Sequence, residues 1–214
     1  MTADNMTTDN MTADNTSHRF EFFAALLLGL TALLTGYATM RSAIVGDEVL
    51  EGFTLSSQHY NDANNLDDAN TQTYLADQAL FLRFAEARFA GDEQLTDYLR
   101  TSLFDERLAT AVEWWETQQT AGNPPDSPFE VGSPYRLDDT TALEDQGDAA
   151  FEAAKKADER NDRFDQATAV LSITLFAVGL AVLVTAHRAR LLMVALAIAG
   201  LCGGALLTLV GELG

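Results

Sequence analysis

Three blocks of this chain contain no charged side chain, and they constrain its fold more than any other feature. The blocks are residues 22–40, 167–186 and 191–211. A helix rises about 1.5 Å per residue, so about 20 apolar residues cross a hydrocarbon core about 30 Å thick. Each block is long enough to do this. The pattern predicts an all-α membrane protein with three transmembrane helices, at 21–40, 167–186 and 191–211.

The first block has an alternative interpretation as a secretory signal peptide. His18 and Arg19 would form the positive region of such a peptide, and small residues near Ala38 would form its cleavage site. We favour a membrane helix, because the block exceeds the roughly 7 to 15 apolar residues of a signal peptide. The residues beyond Met40 also continue the same helical pattern.

The short segment 187–190 between the second and third blocks predicts a tight helical hairpin and indicates the orientation. Arg188 and Arg190 make up half of it. The positive-inside rule counts Lys and Arg in short loops and largely ignores long translocated segments. We therefore predict a multi-pass protein of the cell membrane. Its amino terminus and residues 187–190 would be cytoplasmic, and residues 41–166 would lie outside the cytoplasm.

An internal repeat precedes the first block. Residues 1–5 read MTADN, residues 6–10 read MTTDN and residues 11–15 read MTADN again. A five-residue period without an apolar stripe cannot bury a face. We expect residues 1–20 to be a disordered tail.

The segment 41–166, which we call the stalk, is predicted to be a long helical hairpin between the first and second membrane helices. All four prolines of the chain lie between Pro124 and Pro134. Proline costs about 3 kcal/mol in a helix interior, so their confinement leaves both flanks free to form helices. Gly91 suits the C-cap of one helix, and Asp92 suits the N-cap of the next. The predicted stalk elements are helices at 41–90, 92–120 and 137–166 and a proline-rich loop at 121–136.

Two heptad seams support a coiled-coil stalk. After the prolines, seam positions recur at spacings of four and three from Leu143 to Leu171, which is typical of paired helices. Before the prolines, the same spacing runs from Val49 to Phe84 with polar residues at several core positions. The middle of the second seam consists of small side chains, which allow a partner helix to approach closely. They include Ala150, Ala154 and Ala157.

Glycines in the membrane helices predict further close packing. Gly200 and Gly204 form a G-x-x-x-G face in the third membrane helix, and Gly29 and Gly36 lie seven residues apart in the first. Small residues at these spacings let two helix backbones approach in a bilayer. We predict that these four glycines pack helices together.

Trp114 and Trp115 are the most unusual local feature of the stalk. Adjacent residues on a helix point about 100° apart, so the two indoles cannot face the same groove. We expect one to be a core residue. The other could anchor a partner protein, or pack against the proline-rich loop near Phe129 or Tyr135, which is the interpretation we favour.

The chain resembles a family of uncharacterised prokaryotic integral membrane proteins. The resemblance covers roughly residues 20–210, and it implies one amino-terminal span, a helical insertion and two carboxy-terminal spans. It implies no activity. The resembling positions are Glu21, the turn Gly91-Asp92-Glu93 with Leu99 and Phe104, Trp114 and Trp115, Ser127-Pro128-Phe129, and Pro134-Tyr135.

The charge balance excludes one class of function. The chain has 13 Lys+Arg against 32 Asp+Glu, a net charge of -19. Such a chain would repel the phosphates that a nucleic-acid-binding protein must attract. The stalk alone holds 10 basic and 27 acidic residues. Dense carboxylates of this kind fit solubility in high salt, as in a halophilic source, or alternatively a basic partner.

The residues that usually carry chemistry form no recognisable site. Cys202 is the only cysteine, and the three histidines lie far apart in sequence. The acidic pairs at 67–68 and 138–139 lack the ligand spacing of an EF-hand, so they predict at most weak cation binding by the acidic stalk. No catalytic motif singles out a nucleophile, base or phosphate loop. We therefore predict no enzymatic activity, no cofactor and no metal.

The sequence favours a non-enzymatic membrane scaffold or accessory subunit. It would act in the lipid bilayer by assembling its stalk and membrane helices with copies of itself or with another membrane protein. One alternative is a sensor-like module that passes a stalk rearrangement to a partner. Another is an ion-conducting homo-oligomer, although the three apolar blocks contain no charged residue to line a pore.

Overall fold

The computed structural model describes residues 4–121, 125–184 and 186–213, with side chains from Phe20 onward except at 187. Every regular element in these ranges is helical, as predicted. A π-helical turn at Leu99–Leu103 follows the second α-helix. The α-helices are α1 (Asp4–Ala90), α2 (Glu93–Tyr98), α3 (Glu106–Thr120), α4 (Thr141–Leu183) and α5 (His187–Leu213).

Three of the helices are long and apolar enough to cross a membrane, as the predicted multi-pass class requires. They are α1 from Phe20 onward, α4, and α5 from Arg188 onward. In the apolar 18-residue stretch of each helix, no more than a third of the residues are buried by protein. The remaining side chains present a continuous apolar surface, which water would disfavour and lipid would cover.

Several helix limits differ from those predicted. α1 begins at Asp4 and so includes the repeat, where we expected a disordered tail. Once a helix is nucleated, each added residue gains a backbone hydrogen bond without needing a buried face. α5 begins at His187, so residues 187–190 form its first turn and not a loop. α4 begins at Thr141, four residues later than predicted, because the Asp139 side chain accepts hydrogen bonds from Thr141.

The helix predicted over 92–120 is interrupted, which corrects that assignment. Phe104 adopts an extended backbone with φ −74° and ψ 131°. Asp105 then caps α3 by accepting a 2.8 Å hydrogen bond from the Leu108 amide. This break contains neither Gly nor Pro, the residues that most often interrupt a helix, so it was not predictable from the sequence.

The turn after α1 follows the prediction. Gly91 has φ +76°, a left-handed conformation that glycine adopts without steric cost. Asp92 caps α2 by accepting a 3.0 Å hydrogen bond from the Leu95 amide. α1 accordingly ends at Ala90, where the sequence placed its end.

The chain divides into two compact units, whose boundaries fall inside α1 and α4. Unit 1 comprises Met1–Leu55 and Ala149–Gly214, and unit 2 comprises Ser56–Asp148. Unit 1 therefore holds the three segments that are apolar enough to cross a membrane.

Unit 1 is held together by small apolar contacts among α1, α4 and α5. One cluster joins Ala38 of α1 to Ala167 and Leu171 of α4, with Leu201 of α5 packed beside it. Another joins Leu27, Val178 and Ala197. Each of the three helices contributes one fully buried alanine to these clusters, at Ala38, Ala167 and Ala197.

Unit 2 has a larger apolar core in which α1 packs against α3 and the π-helical turn. Phe84 and Leu108 are fully buried at its centre. The core residues are Phe81, Phe84, Ala87, Leu99, Leu108, Val112 and Trp115.

Candidate interaction surfaces

Edge-to-face aromatic contacts fix the loop between α3 and α4 onto α1. Phe129 from this loop lies with its ring centroid 5.9 Å from that of Phe81 and 5.4 Å from that of Tyr74. The Tyr135 ring lies 4.9 Å from that of Phe129. These pairs are nearly perpendicular, the arrangement that the ring quadrupoles favour. The loop that contains the prolines is therefore an ordered part of unit 2 over its described residues.

The two tryptophans occupy different environments. Trp115 is buried, packs edge-on against Phe81 at 5.1 Å, and donates a 2.9 Å hydrogen bond from Nε1 to the Pro125 carbonyl. Trp114 is partly buried against the same core. Trp115 is thus the core member of the pair, and it also contacts the proline-rich loop. A role for Trp114 as a partner anchor stays a prediction.

A buried carboxyl–phenol pair lies beside the aromatic contacts, and sequence reasoning missed it. Tyr135 donates a 2.7 Å hydrogen bond from its hydroxyl to Oδ2 of Asp77. Burial raises the pKa of the Asp77 carboxyl, although the hydrogen bond from Tyr135 lowers it in part. Burial and the Asp77 carboxylate together raise the pKa of Tyr135. The only sign of this pair in the sequence was that Asp77, an acidic residue, occupies a core position of the first heptad seam.

Further polar contacts join the loop to α1. The Asn70 side chain donates to the Asp138 carbonyl at 2.8 Å and accepts from the Asp138 amide at 3.2 Å. Buried Ser133 donates a hydrogen bond to the Pro128 carbonyl. One buried amide side chain thus satisfies both backbone groups of Asp138 and holds this part of the loop to α1.

The acidic side chains do not form a metal centre in the part of the chain that the structure describes. Asp67 and Asp138 line an open groove together with Arg136. No group of three or more His, Cys, Asp or Glu side chains in the described ranges is placed to hold a metal ion. The weak cation binding expected of the acidic stalk stays a prediction.

The four predicted packing glycines fall into two classes. Gly200 lies against Thr174, and Gly204 lies so close to Leu171 that an added Cβ would be 2.5 Å from its Cγ. These two glycines are therefore used inside unit 1, where α5 packs against α4. At Gly29 and Gly36, no atom of the residues that the structure describes lies within 4 Å of the position that a Cβ would occupy. Their face of α1 is open.

The small residues of the second heptad seam pack against α1. Ala154 is 1% exposed, and an added Cβ on Gly52 would lie 2.8 Å from the Ala154 Cβ. Ala157 is buried with Val45. Ala150 is half-buried. The contact of Gly52 with Ala154 thus brings the backbones of α1 and α4 close together.

A polar cluster in unit 1 joins the three helices near the carboxyl end of α5. Glu212 accepts hydrogen bonds from Arg41 Nε at 2.6 Å and from the Tyr37 hydroxyl at 2.7 Å. Arg163 of α4 donates to the Val210 carbonyl at 3.3 Å. These contacts link side chains that are up to 175 residues apart, so the sequence alone did not indicate them.

Two contacts bracket the apolar length of α1. The Arg190 guanidinium lies 3.2 Å from the centroid of the Phe20 ring, and Arg41 pairs with Glu212. Twenty-one helical steps separate Phe20 from Arg41, which is about 32 Å at the α-helical rise. This matches the hydrocarbon thickness of about 30 Å. The charged residues therefore lie at the two ends of the apolar length and not within it.

Unit 2 carries an exposed apolar stripe on α1, formed by Leu75, Leu82 and Phe89. These side chains are 58%, 61% and 87% exposed. They recur every seven residues, so they share one helix face, and the buried residues Asp77 and Phe84 lie on the opposite face. We call this surface the outer stripe.

Comparisons of this chain with family models, with curated proteins and with solved structures find no match. The resemblance to uncharacterised prokaryotic integral membrane proteins therefore stays a prediction.

Proposed function

We propose that this protein is a non-enzymatic integral membrane scaffold or accessory subunit. It assembles through its membrane helices and stalk with copies of itself or with another membrane protein. The open face of α1 at Gly29 and Gly36 is the observation that carries this proposal.

The two kinds of glycine environment support this role for α1. Helices in lipid gain little from apolar contact alone, so they associate where small residues let backbones approach. α5 uses Gly204 in this way against Leu171 inside unit 1. Gly29 and Gly36 offer the same small surface on α1 without a neighbour among the described residues, beside the exposed side chains of Leu26 and Leu33. A helix from another chain can fill this space.

A helical-hairpin stalk over residues 41–166 is part of the proposal. Within unit 1, Gly52 of α1 lies against Ala154 of α4. Within unit 2, Tyr60 of α1 lies against Gly147 of α4. Inside unit 1, Val45 packs with Ala157 and Gly52 with Ala154, so residue numbers rise along α1 and fall along α4, as in antiparallel pairing. We propose that this pairing forms the stalk.

We also propose that the amino terminus is cytoplasmic and that the stalk lies outside the cytoplasm. Arg188 and Arg190 in the first turn of α5 support this orientation. The acidic stalk would then face an aqueous environment of high salt or a basic partner.

The test is the mass of the protein–detergent complex after gentle extraction. We expect an assembly larger than one chain, and we expect Gly29→Leu combined with Gly36→Leu to shift it toward the monomer. Gly203→Leu is the matched control, since Gly203 also has open space around it but lies on α5. A lone monomer without a co-purifying chain would contradict the proposed function.

A further inference from the structure

We infer that the outer stripe of Leu75, Leu82 and Phe89 is a docking surface for a partner's amphipathic helix whose apolar seam is flanked by Lys or Arg. This inference rests on the proposed function, because it names the class of partner that the scaffold would hold. It concerns unit 2 alone.

The spacing of the outer stripe fits a helix. Side chains seven residues apart along α1 form a straight seam, and a second helix covers such a seam when its own apolar residues follow a heptad. The positions between the three large side chains are Gln78, Ala79, Ala85 and Glu86, of which Glu86 alone is charged and the two alanines are small. A partner helix can therefore lie close to α1 along this face.

The exposure of the stripe is unusual for so acidic a unit. Residues 56–148 contain 19 acidic and five basic residues. Phe89 is nevertheless 87% exposed, and the whole stripe lies opposite the core that α1 shares with α3. An exposed apolar patch rimmed by polar residues is typical of a protein interaction site.

The charges beside the stripe indicate the chemistry of the partner. Asp68 continues the seven-residue spacing before Leu75, and Glu86 lies on the same face between Leu82 and Phe89. Neither carboxylate forms an ion pair with a residue that the structure describes. Of the nearby bases, Arg88 and Arg100 already pair with Glu116, and exposed Arg83 is outnumbered by the carboxylates of this unit. A helix bearing Lys or Arg beside its apolar seam would complement these free carboxylates.

A second copy of this chain is the less suitable occupant. It would bring an identical acidic flank to the interface, and like charges placed together oppose association. Self-association through the outer stripe is therefore an outcome that the test must distinguish.

The test measures binding of a labelled synthetic peptide to the full chain in nanodiscs of neutral phosphatidylcholine, by fluorescence anisotropy. The peptide is an amphipathic helix about three heptads long with Leu at its seam and Lys at its flanks. A matched peptide carries Glu in place of Lys. We expect the Lys peptide to bind and the Glu peptide to bind at least about tenfold more weakly.

Leu82→Glu separates docking from plain charge attraction. It removes the central side chain of the stripe while making the unit more acidic, so docking predicts at least about tenfold weaker binding of the Lys peptide. Val131→Glu adds the same charge at a fully exposed site away from α1 and should leave binding unchanged or slightly stronger. Unchanged or tighter binding by Leu82→Glu would overturn the inference.

The mass of the same nanodisc samples without peptide tests the other occupant. If Leu82→Glu converts an assembly to the monomer, then the stripe is covered by a second copy and the inference is wrong. The proposed function is tested independently by the Gly29 and Gly36 variants. Failure of peptide binding therefore does not decide whether the membrane helices assemble.

Discussion

The hydroxyl of Tyr135 donates a 2.7 Å hydrogen bond to the carboxylate of Asp77, and both side chains are more than nine-tenths buried. The two residues are 58 positions apart. Their contact joins the loop after α3 to α1. It therefore makes the stability of unit 2 depend on the protonation of one carboxyl group.

Asp77 should make the stability of the protein depend on pH in a defined direction. Burial raises its pKa in the folded state above the ordinary value of 3.8, so the folded state binds this proton more readily than the unfolded state. The contribution of Asp77 to the free energy of unfolding therefore grows as the pH falls through the raised pKa toward 3.8. It declines as the pH rises through the same interval.

Melting temperatures of the wild type and of Asp77→Asn, measured from about pH 7 to about pH 4, check this sign. The difference between them should move in favour of the wild type on acidification. Because Asp105 and Arg107 also influence the pKa of Asp77, neither residue is substituted in the two proteins compared. A difference that stays constant, or moves the other way, would show that Asp77 is solvated in the folded protein.

Tyr135→Phe should destabilise the protein by about 1 to 3 kcal/mol at neutral pH, since it leaves the buried Asp77 carboxylate without its donor. It should also shift the pH dependence described above to higher pH. The hydrogen bond from Tyr135 lowers the pKa of Asp77 in the wild type, so its removal raises that pKa. Thermal unfolding followed by tryptophan fluorescence measures both effects. Tyr98→Phe is the control, since Tyr98 is 55% exposed, and it should change neither quantity.

Ala154→Leu should lower the melting temperature, with an overpacking cost of about 1 to 3 kcal/mol. The reason is the contact between Ala154 and Gly52, where two helix backbones leave no room for a larger side chain. Glu152→Leu is the matched control, because Glu152 is exposed on the same helix. Equal tolerance at both positions would refute the heptad seam of α4.

Adjacent glycines of α5 should respond oppositely to alanine. Gly204→Ala should destabilise the protein by about 1 to 3 kcal/mol, because its Cβ would enter the space of Leu171. Gly203→Ala meets open space and should be neutral or stabilising by about 0.4 to 1 kcal/mol, since it restricts the unfolded chain. Melting temperatures in detergent report both. The packing of α5 against α4 would be wrong if Gly203 proved the more sensitive position.

The orientation can be tested with a single cysteine at Asp126 in a Cys202→Ala background. A membrane-impermeant thiol reagent added to intact cells should label this cysteine, because the stalk is proposed to lie outside the cytoplasm. The same reagent applied to lysed cells gives the total. Labelling only after lysis would reverse the orientation.

Properties that depend on a few neighbouring residues were predictable. The uncharged blocks predicted the three helices that are long and apolar enough to cross a membrane, because this property depends only on the length and composition of a continuous segment. Gly91 and Asp92 marked the end of α1, since a left-handed glycine and a capping carboxylate act on the backbone next to them. The break at Phe104 was missed, because its capping residue, Asp105, is indistinguishable in sequence from the many other acidic residues of the stalk.

The sequence by itself determined the helical class, the three spans and the turn after α1, because local hydrophobic length and local backbone chemistry decide these features. Only the tertiary structure decided which of the similar residues meet a neighbour. Gly204 and Gly29 are equivalent as residues, yet one lies against Leu171 and the other is open. Asp77 is one acidic residue among 32, yet it is the one whose carboxylate accepts the hydrogen bond from Tyr135 in the part of the chain that the structure describes. Burial and pairing depend on side chains brought together from distant parts of the chain, and no local pattern encodes them.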